Sequence, residues 1–335
     1  MGRLVATALV ALLVFAAPAA PLRAQSQVLI VTGLGGEARF TERFRTLGGE
    51  LSTALHDRFA IPDASIAWFG EDSSARDAGN PRYRGRSTRD ALEKEVAAIK
   101  ARAVPGGQLV VIFIGHGAGS DVESRISLPG PDVTVADVQR WLAGFTQQRV
   151  AFVNLTSASG DFLPVLAAPG RVVITATKTS FERNESRFAE FFVKALSQDV
   201  ADVDKDGRVS LLEAFRYAAR ETKRVYDDAT KLQTEHSQLD DDGTKLSTGD
   251  PTGRAGQGML ARRFFLDAQI GGVAAGGDAA LAALYSQKFE LEVQVDSVRA
   301  KKASLARDAY EADLERVLVE LARKSRDIRR AEGRP

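Results

Sequence analysis

The oxygen-bearing side chains between residues 202 and 213 have the spacing of a cation cage. Asp202, Asp204 and Asp206 alternate along the chain, Gly207 follows, and Ser210 and Glu213 complete the run. In a calcium loop, carboxylates at the first, third and fifth positions supply oxygens. A glycine at the sixth allows a sharp turn, the seventh gives its backbone carbonyl, and a bidentate glutamate closes the shell. Here Arg208 takes the carbonyl position, Ser210 the ninth and Glu213 the last. Calcium is a hard cation that takes roughly six to eight oxygens, and this spacing wraps them around one point. Val209 is the apolar residue expected to turn inward. The plain alternative is an acidic turn without a metal.

A second set of polar residues lies at the ends of apolar runs. Gly115-His116-Gly117 follows one run, and residues 154–160 follow another. The elements that must hold these groups alternate along the chain. Strands are expected at 27–32, 65–69, 108–114, 149–154 and 171–177, from short β-branched and apolar runs. Helices are expected at 42–58, 88–102, 135–145 and 185–196. Ser87 is the expected cap of the second helix, with Asp90 in support, and Thr134 the cap of the third. Residues 72–86, rich in Gly, Ser, Asp and Arg, read as an exposed loop. Helices on both sides of the 202–213 loop, carrying Phe188, Phe192 and Leu196 before it and Leu212 and Phe215 after, give it an EF-hand-type setting. A single such loop points to a structural calcium rather than a switch. The fold class is α/β: a mostly parallel sheet flanked by helices. In such sheets, sites form at the carboxyl ends of strands.

The segments VVIFIGHGAGSD (110–121) and VAFVNLTSASG (150–160) resemble the histidine and nucleophile motifs of the caspase-like fold. Their order and spacing are similar to those of the caspase and legumain clan of cysteine endopeptidases. The resemblance extends over about 27–242 and is nearest to bacterial legumain-like proteins with a calcium loop after the core. It implies a caspase-like sheet, with His116 as the catalytic histidine and the amides of Gly117 and Ser157 as oxyanion donors. It departs at one position. Where the family carries its nucleophilic cysteine, this chain has Ser157, within Thr156-Ser157-Ala158-Ser159-Gly160. A serine hydroxyl is far less acidic than a thiol and needs a positioned base, itself oriented by a carboxylate. Asp121 and Asp161 are the nearby acids. The resemblance therefore implies an inactive protease homologue, a scaffold or a binder of peptide or protein, with a serine hydrolase using Ser157 and His116 as the alternative. Arg39 and residues 182–185 lie in loops where the family builds its specificity pockets.

Bulk properties narrow the remaining classes. The 335 residues carry a formal net charge of +1 and no cysteine. Nothing indicates a nucleic-acid binder, and neither disulfides nor thiolate metal sites are possible. Residues 1–24 read as a signal peptide: Arg3, an apolar run, then small residues. Export to the periplasm or medium is the expectation, with no stable membrane span once the leader is cleaved. Residues 25–270 form the expected caspase-like domain and 271–277 a linker. From 278 to 335, leucines spaced by sevens, Leu284 and Leu291 among them, read as a helical hairpin or coiled coil that could support self-association. The glycine run Gly33, Gly35, Gly36 approximates a dinucleotide turn, and His116-Gly117 a lipase oxyanion motif, but no acid sits at the expected offset and no Gly-x-Ser-x-Gly elbow exists. His56 reads as surface. His236 and Asp240-Asp241-Asp242 read either as a solvated turn or as further ligands.

Overall fold

The computed structural model describes residues 26–72, 79–119, 123–205, 207–253, 256–266 and 305–331, with positions between 280 and 302 in part. The expected leader (1–24) and linker (271–277), together with Asp121 and Asp206, lie outside the described residues.

The sheet follows from the apolar runs. β1 (Ser26–Thr32), β2 (Ile66–Gly70), β4 (Gln108–Ile114), β8 (Arg149–Asn154) and β9 (Arg171–Thr175) pair in parallel, joined by β3 (Tyr83–Arg86) and β10 (Gln238–Asp240). The seven-stranded order is β10-β9-β8-β4-β1-β2-β3, with β10 antiparallel to β9. Alternate residues serve opposite faces, as the strand period of two requires. Val28, Ile30, Val110 and Ile112 join one core with Leu51 and Leu55 of α1 (Ala38–Asp57), Phe192 of α5 (Phe188–Ser197) and Phe215 of α6 (Leu211–Asp228). Leu29, Val31, Val111 and Phe113 join the other. There they meet Leu92 of α2 (Arg89–Arg102), Val138 and Trp141 of α3 (Val135–Leu142) and Phe162 of α4 (Phe162–Leu166). Each such side chain, fully buried, stabilises by about 1.5–3 kcal/mol relative to exposure.

Several local expectations need correction. The stretch expected as an exposed loop contains β3, which pairs with β2 at the sheet edge. The cap of α2 is Thr88, whose hydroxyl accepts from the Ala91 amide at 3.3 Å. Ser87 instead donates to the Thr32 carbonyl at 2.8 Å and is fully buried. Thr134 does cap α3, in a reciprocal box with Asp137. A small sheet of β5 (Gly117–Gly119), β6 (Ser124–Ile126) and β7 (Val133–Thr134) projects beyond β4. In the tail, Leu291 and Val295 cluster with Val317 of the last helix, α7 (Arg307–Ala331), and Val298, Leu314 and Leu321 pack against them. The tail thus folds back on itself. No helix among the described residues is long and apolar enough to cross a membrane.

Two adjacent glycines in α1 test the helix–sheet contact. A Cβ on Gly48 would lie 2.6 Å from Trp68 Nε1 and 2.7 Å from Thr32 Cγ2. On Gly49 the nearest atom is Trp68 Cη2 at 3.6 Å, an ordinary contact. Alanine gains about 1 kcal/mol over glycine in a helix interior, whereas overpacking costs typically ~1–3 kcal/mol. Gly49→Ala should therefore raise the urea midpoint, and Gly48→Ala should lower it. Equal shifts in the two variants would show that Trp68 does not set the approach of α1.

Candidate functional site

The two polar motifs leave the sheet side by side. β4 and β8 are neighbours, with Phe113 opposite Asn154, so 115–117 and 154–160 emerge at the same edge. Asn154 is fully buried and its Oδ1 accepts from the amide and hydroxyl of Thr156, at 3.1 and 2.7 Å. This bends the chain off the strand. Ala158 follows with a left-handed φ of 53°. The Thr177 hydroxyl accepts the amides of Ser159 at 2.7 Å and Gly160 at 3.0 Å, tying the turn to the end of β9.

Ser157 sits in this turn at 2% exposure. The Gly117 amide donates to its Oγ at 3.2 Å, and the Oγ donates back to the Gly117 carbonyl at 3.4 Å. A side chain on Gly117 would collide with the Ser157 carbonyl, so glycine is required there. His116 is half-buried and turned elsewhere. Its ring meets Phe40 edge-on at 4.7 Å and Phe44 at 5.0 Å. Burial lowers its pKa, the hydrogen bond the ring donates to the Gly35 carbonyl opposes that, and the nearby Arg43 charge lowers it further. Among the described residues, no hydrogen bond joins His116 to Ser157. Asp161 does not orient the histidine either: its oxygens accept from the Ser124 hydroxyl and the Ser180 amide, both at 3.3 Å. The structure thus brings Ser157 to Gly117 and keeps His116 in an aromatic slot.

The acidic loop converges as its spacing predicts. Carboxylate oxygens of Asp202, Asp204 and Glu213 lie within 4.8 Å of one another. Lys205 and Gly207 have left-handed φ values of 55° and 84°, which close the turn. Val209 is buried and Arg208 stacks on Phe265 at 3.6 Å. Asp202 Oδ2 accepts the Gly207 amide at 3.0 Å, across the turn. Glu213 has a further task. Its Oε2 accepts the amide and hydroxyl of Ser210, at 2.9 and 2.8 Å, while Ser210 caps α6 in return, and its Oε1 accepts the Val203 amide at 3.0 Å. The donor set is all oxygen and fits a hard divalent cation.

Of the second acidic cluster only Asp242 is exposed. Asp240 and Asp241 are buried. Asp241 accepts the amides of Gly258 and Ala261, both at 2.8 Å, and Asp240 that of Gly243 at 2.9 Å. His236 Nδ1 lies 2.6 Å from Glu182 Oε1, which makes it a hydrogen-bond partner of a carboxylate. Sequence reading missed Glu235 altogether. Its carboxylate accepts the amides of Arg187 and Phe188 at 2.7 and 3.1 Å, capping α5 from a distant loop. Burial pushes its carboxyl up, against those hydrogen bonds. The glycine turn after β1 is likewise filled from within: Glu71 accepts the Gly35 amide at 3.1 Å and the Thr41 hydroxyl at 2.6 Å. A dinucleotide phosphate would have to displace that carboxylate.

No family model matches the chain, and no curated protein matches it.

The lowered pKa of His116 has a direction that can be measured. As pH falls below the ordinary value of 6.5, the unfolded chain takes up a proton that the folded ring resists. Stability therefore declines as pH drops from 6.5 towards the folded value, and this contribution is complete below it. His116→Phe should flatten the fall in urea midpoint across this interval. A variant that falls as steeply as the wild type would show that His116 does not carry the effect.

Proposed function

We propose that the chain is an exported, calcium-braced relative of the caspase and legumain clan that has lost peptidase chemistry and serves as a scaffold or peptide-binding module. The observation that carries this reading is the bonding of Ser157. Its hydroxyl is engaged in both directions by the Gly117 backbone, and His116 is held against Phe40 and Phe44 rather than against it. A nucleophilic serine needs a base within hydrogen-bond reach and a third group to orient that base. Neither relation exists here among the described residues. The clan resemblance is supported by the emergence of both motifs from adjacent parallel strands, with the Gly117 amide beside the residue in the nucleophile position.

Calcium would be held by Asp202, Asp204, Asp206 and Glu213 with the Arg208 carbonyl and Ser210, of which Asp206 lies outside the described residues. The bound ion would neutralise converging carboxylates and cross-link the loop to the start of α6. Ser210 and Glu213 already fix that helix start through their capping box. The loop therefore has a brace of its own, to which a cation would add.

Two measurements test this reading. The chain from residue 25 onward, incubated with a peptide library in calcium, should release no products. Calcium-dependent cleavage that disappears in both Ser157→Ala and His116→Ala would establish the serine hydrolase instead. Calcium at about a hundredfold over its dissociation constant stabilises a folded protein by ~2.7 kcal/mol, which for a domain of this size raises Tm by about 5–10 °C. Asp202→Ala should abolish that increment. Glu213→Ala should abolish it and also lower Tm in chelator, because the Ser210 and Val203 bonds are lost. A wild type that melts identically in calcium and in chelator would refute the calcium site.

A further inference from the structure

We propose that the cleft between α6 and the loop following β9 binds an acidic peptide segment. The cleft has a volume of about 770 Å³, within the range of roughly 300–1,000 Å³ typical of sites that enclose an organic ligand, and far more than a lone inorganic anion fills. It lies outside the His116 and Ser157 pair. A peptidase result in either direction leaves it standing.

Its walls carry a surplus of positive charge. Arg216, Arg220 and Lys223 are spaced so that α6 presents them on one face, and all three line the cleft. Lys178 lines the opposite side. Lys178 and Arg216 are exposed and have no ion-pair partner among the described residues. Arg220 and Lys223 pair only with neighbours on their own helix, Glu221 at 3.2 Å and Asp227 at 2.6 Å. Ion pairs between neighbours on a solvent-facing helix surface contribute little, so an incoming carboxylate can compete for them.

The two acids of the lining, Glu182 and Asp250, offset only part of the charge of its four Lys and Arg residues. Glu182 is engaged internally: Oε2 accepts the amides of Lys178 at 2.8 Å and His236 at 3.0 Å, and Oε1 faces His236 Nδ1. The carboxylate thus acts as a fastener between the β9 loop and the segment entering β10. Asp250 is the other acid lining the cleft.

Two exposed apolar side chains adjoin lining residues in sequence. Phe181, 72% exposed, precedes Glu182, and Leu232, 89% exposed, precedes Gln233. Large apolar groups left in water next in sequence to cleft-lining residues complement a ligand that carries both carboxylates and apolar side chains. A free phosphate would use only the cations. A peptide of alternating acidic and apolar residues would use both.

The test uses fluorescence anisotropy with the chain from residue 25 onward. The probe is a fluorescein-labelled hexapeptide, Glu-Glu-Phe-Glu-Leu-Glu, and its control has Gln at every Glu. The acidic probe should bind and weaken in high salt, and the Gln control should not bind. Arg216→Glu and Lys178→Glu should each weaken binding by about tenfold or more, with Arg216→Gln intermediate. Far-ultraviolet circular dichroism and melting confirm that the variants are folded. Equal binding of the Gln control, or unchanged affinity in folded Arg216→Glu and Lys178→Glu, would overturn the proposal. Displacement of the probe by equimolar inorganic phosphate would overturn the peptide assignment and reassign the cleft to a simple anion.

Discussion

Strands buried on both faces impose a strict condition on the residues that leave them: every amide and carbonyl freed from the ladder needs a new partner, because no water reaches it. Much of the carboxyl edge of this sheet answers that condition. The Gly33 amide returns to the Ile114 carbonyl at 2.8 Å, Leu155 to Phe113 at 2.8 Å and Ala176 to Asn154 at 2.9 Å. Beyond these, side chains take over: Asn154 serves Thr156, and Thr177 serves Ser159 and Gly160. Ser157 belongs to the same set, since its hydroxyl serves both backbone groups of Gly117. A buried serine at a strand end can therefore have a structural task that needs no reaction.

The other half of the molecule applies the same condition through acids that are remote in sequence. Glu235 caps α5, Asp241 holds the turn of residues 258–261, and Glu182 ties two segments that flank β9 and β10. Burial raises the carboxyls of Glu235 and Asp241, while the amides they accept from favour the charged form. These acids are structural fasteners, and the segments that Glu182 ties together line the cationic cleft.

The central sheet was legible because it is made of short, uninterrupted apolar runs rich in β-branched residues: residues 108–114 read as a central strand, and the structure has β4 there. The acidic loop was legible because its carboxylates are local, so spacing alone brings those of Asp202, Asp204 and Glu213 together. Thr134 was legible as a cap because its partner Asp137 is three residues away. What could not be read depended on partners far along the chain. β3, β5, β6 and β10 are three or four residues long and have no apolar period of their own. Thr88 and Ser87 are adjacent hydroxyls, and only the approach of the Thr32 carbonyl decides which of them caps α2. Glu235 stands in a polar stretch with nothing to mark it. The wall facing Arg216, Arg220 and Lys223 comes from segments far along the chain, which no local pattern marks.

The margins of the seven-stranded sheet bear on a different property, the behaviour of many copies in one solution. An apolar sheet with an open edge recruits further strands, and proteins prevent this with short edges, bulges and charge. At one margin β10 is three residues long, and Leu239 exchanges both backbone bonds with Thr248, at 2.9 and 3.0 Å. At the other, β3 is four residues long, pairs through a register shift and has Gly85 at a φ of 122°. The Arg84 guanidinium reaches back to the carbonyls of Pro81 and Asp63, and Arg86 to that of Glu71. Both borders are thus short and irregular, which disfavours the addition of a foreign strand to a sheet whose interior is almost wholly apolar.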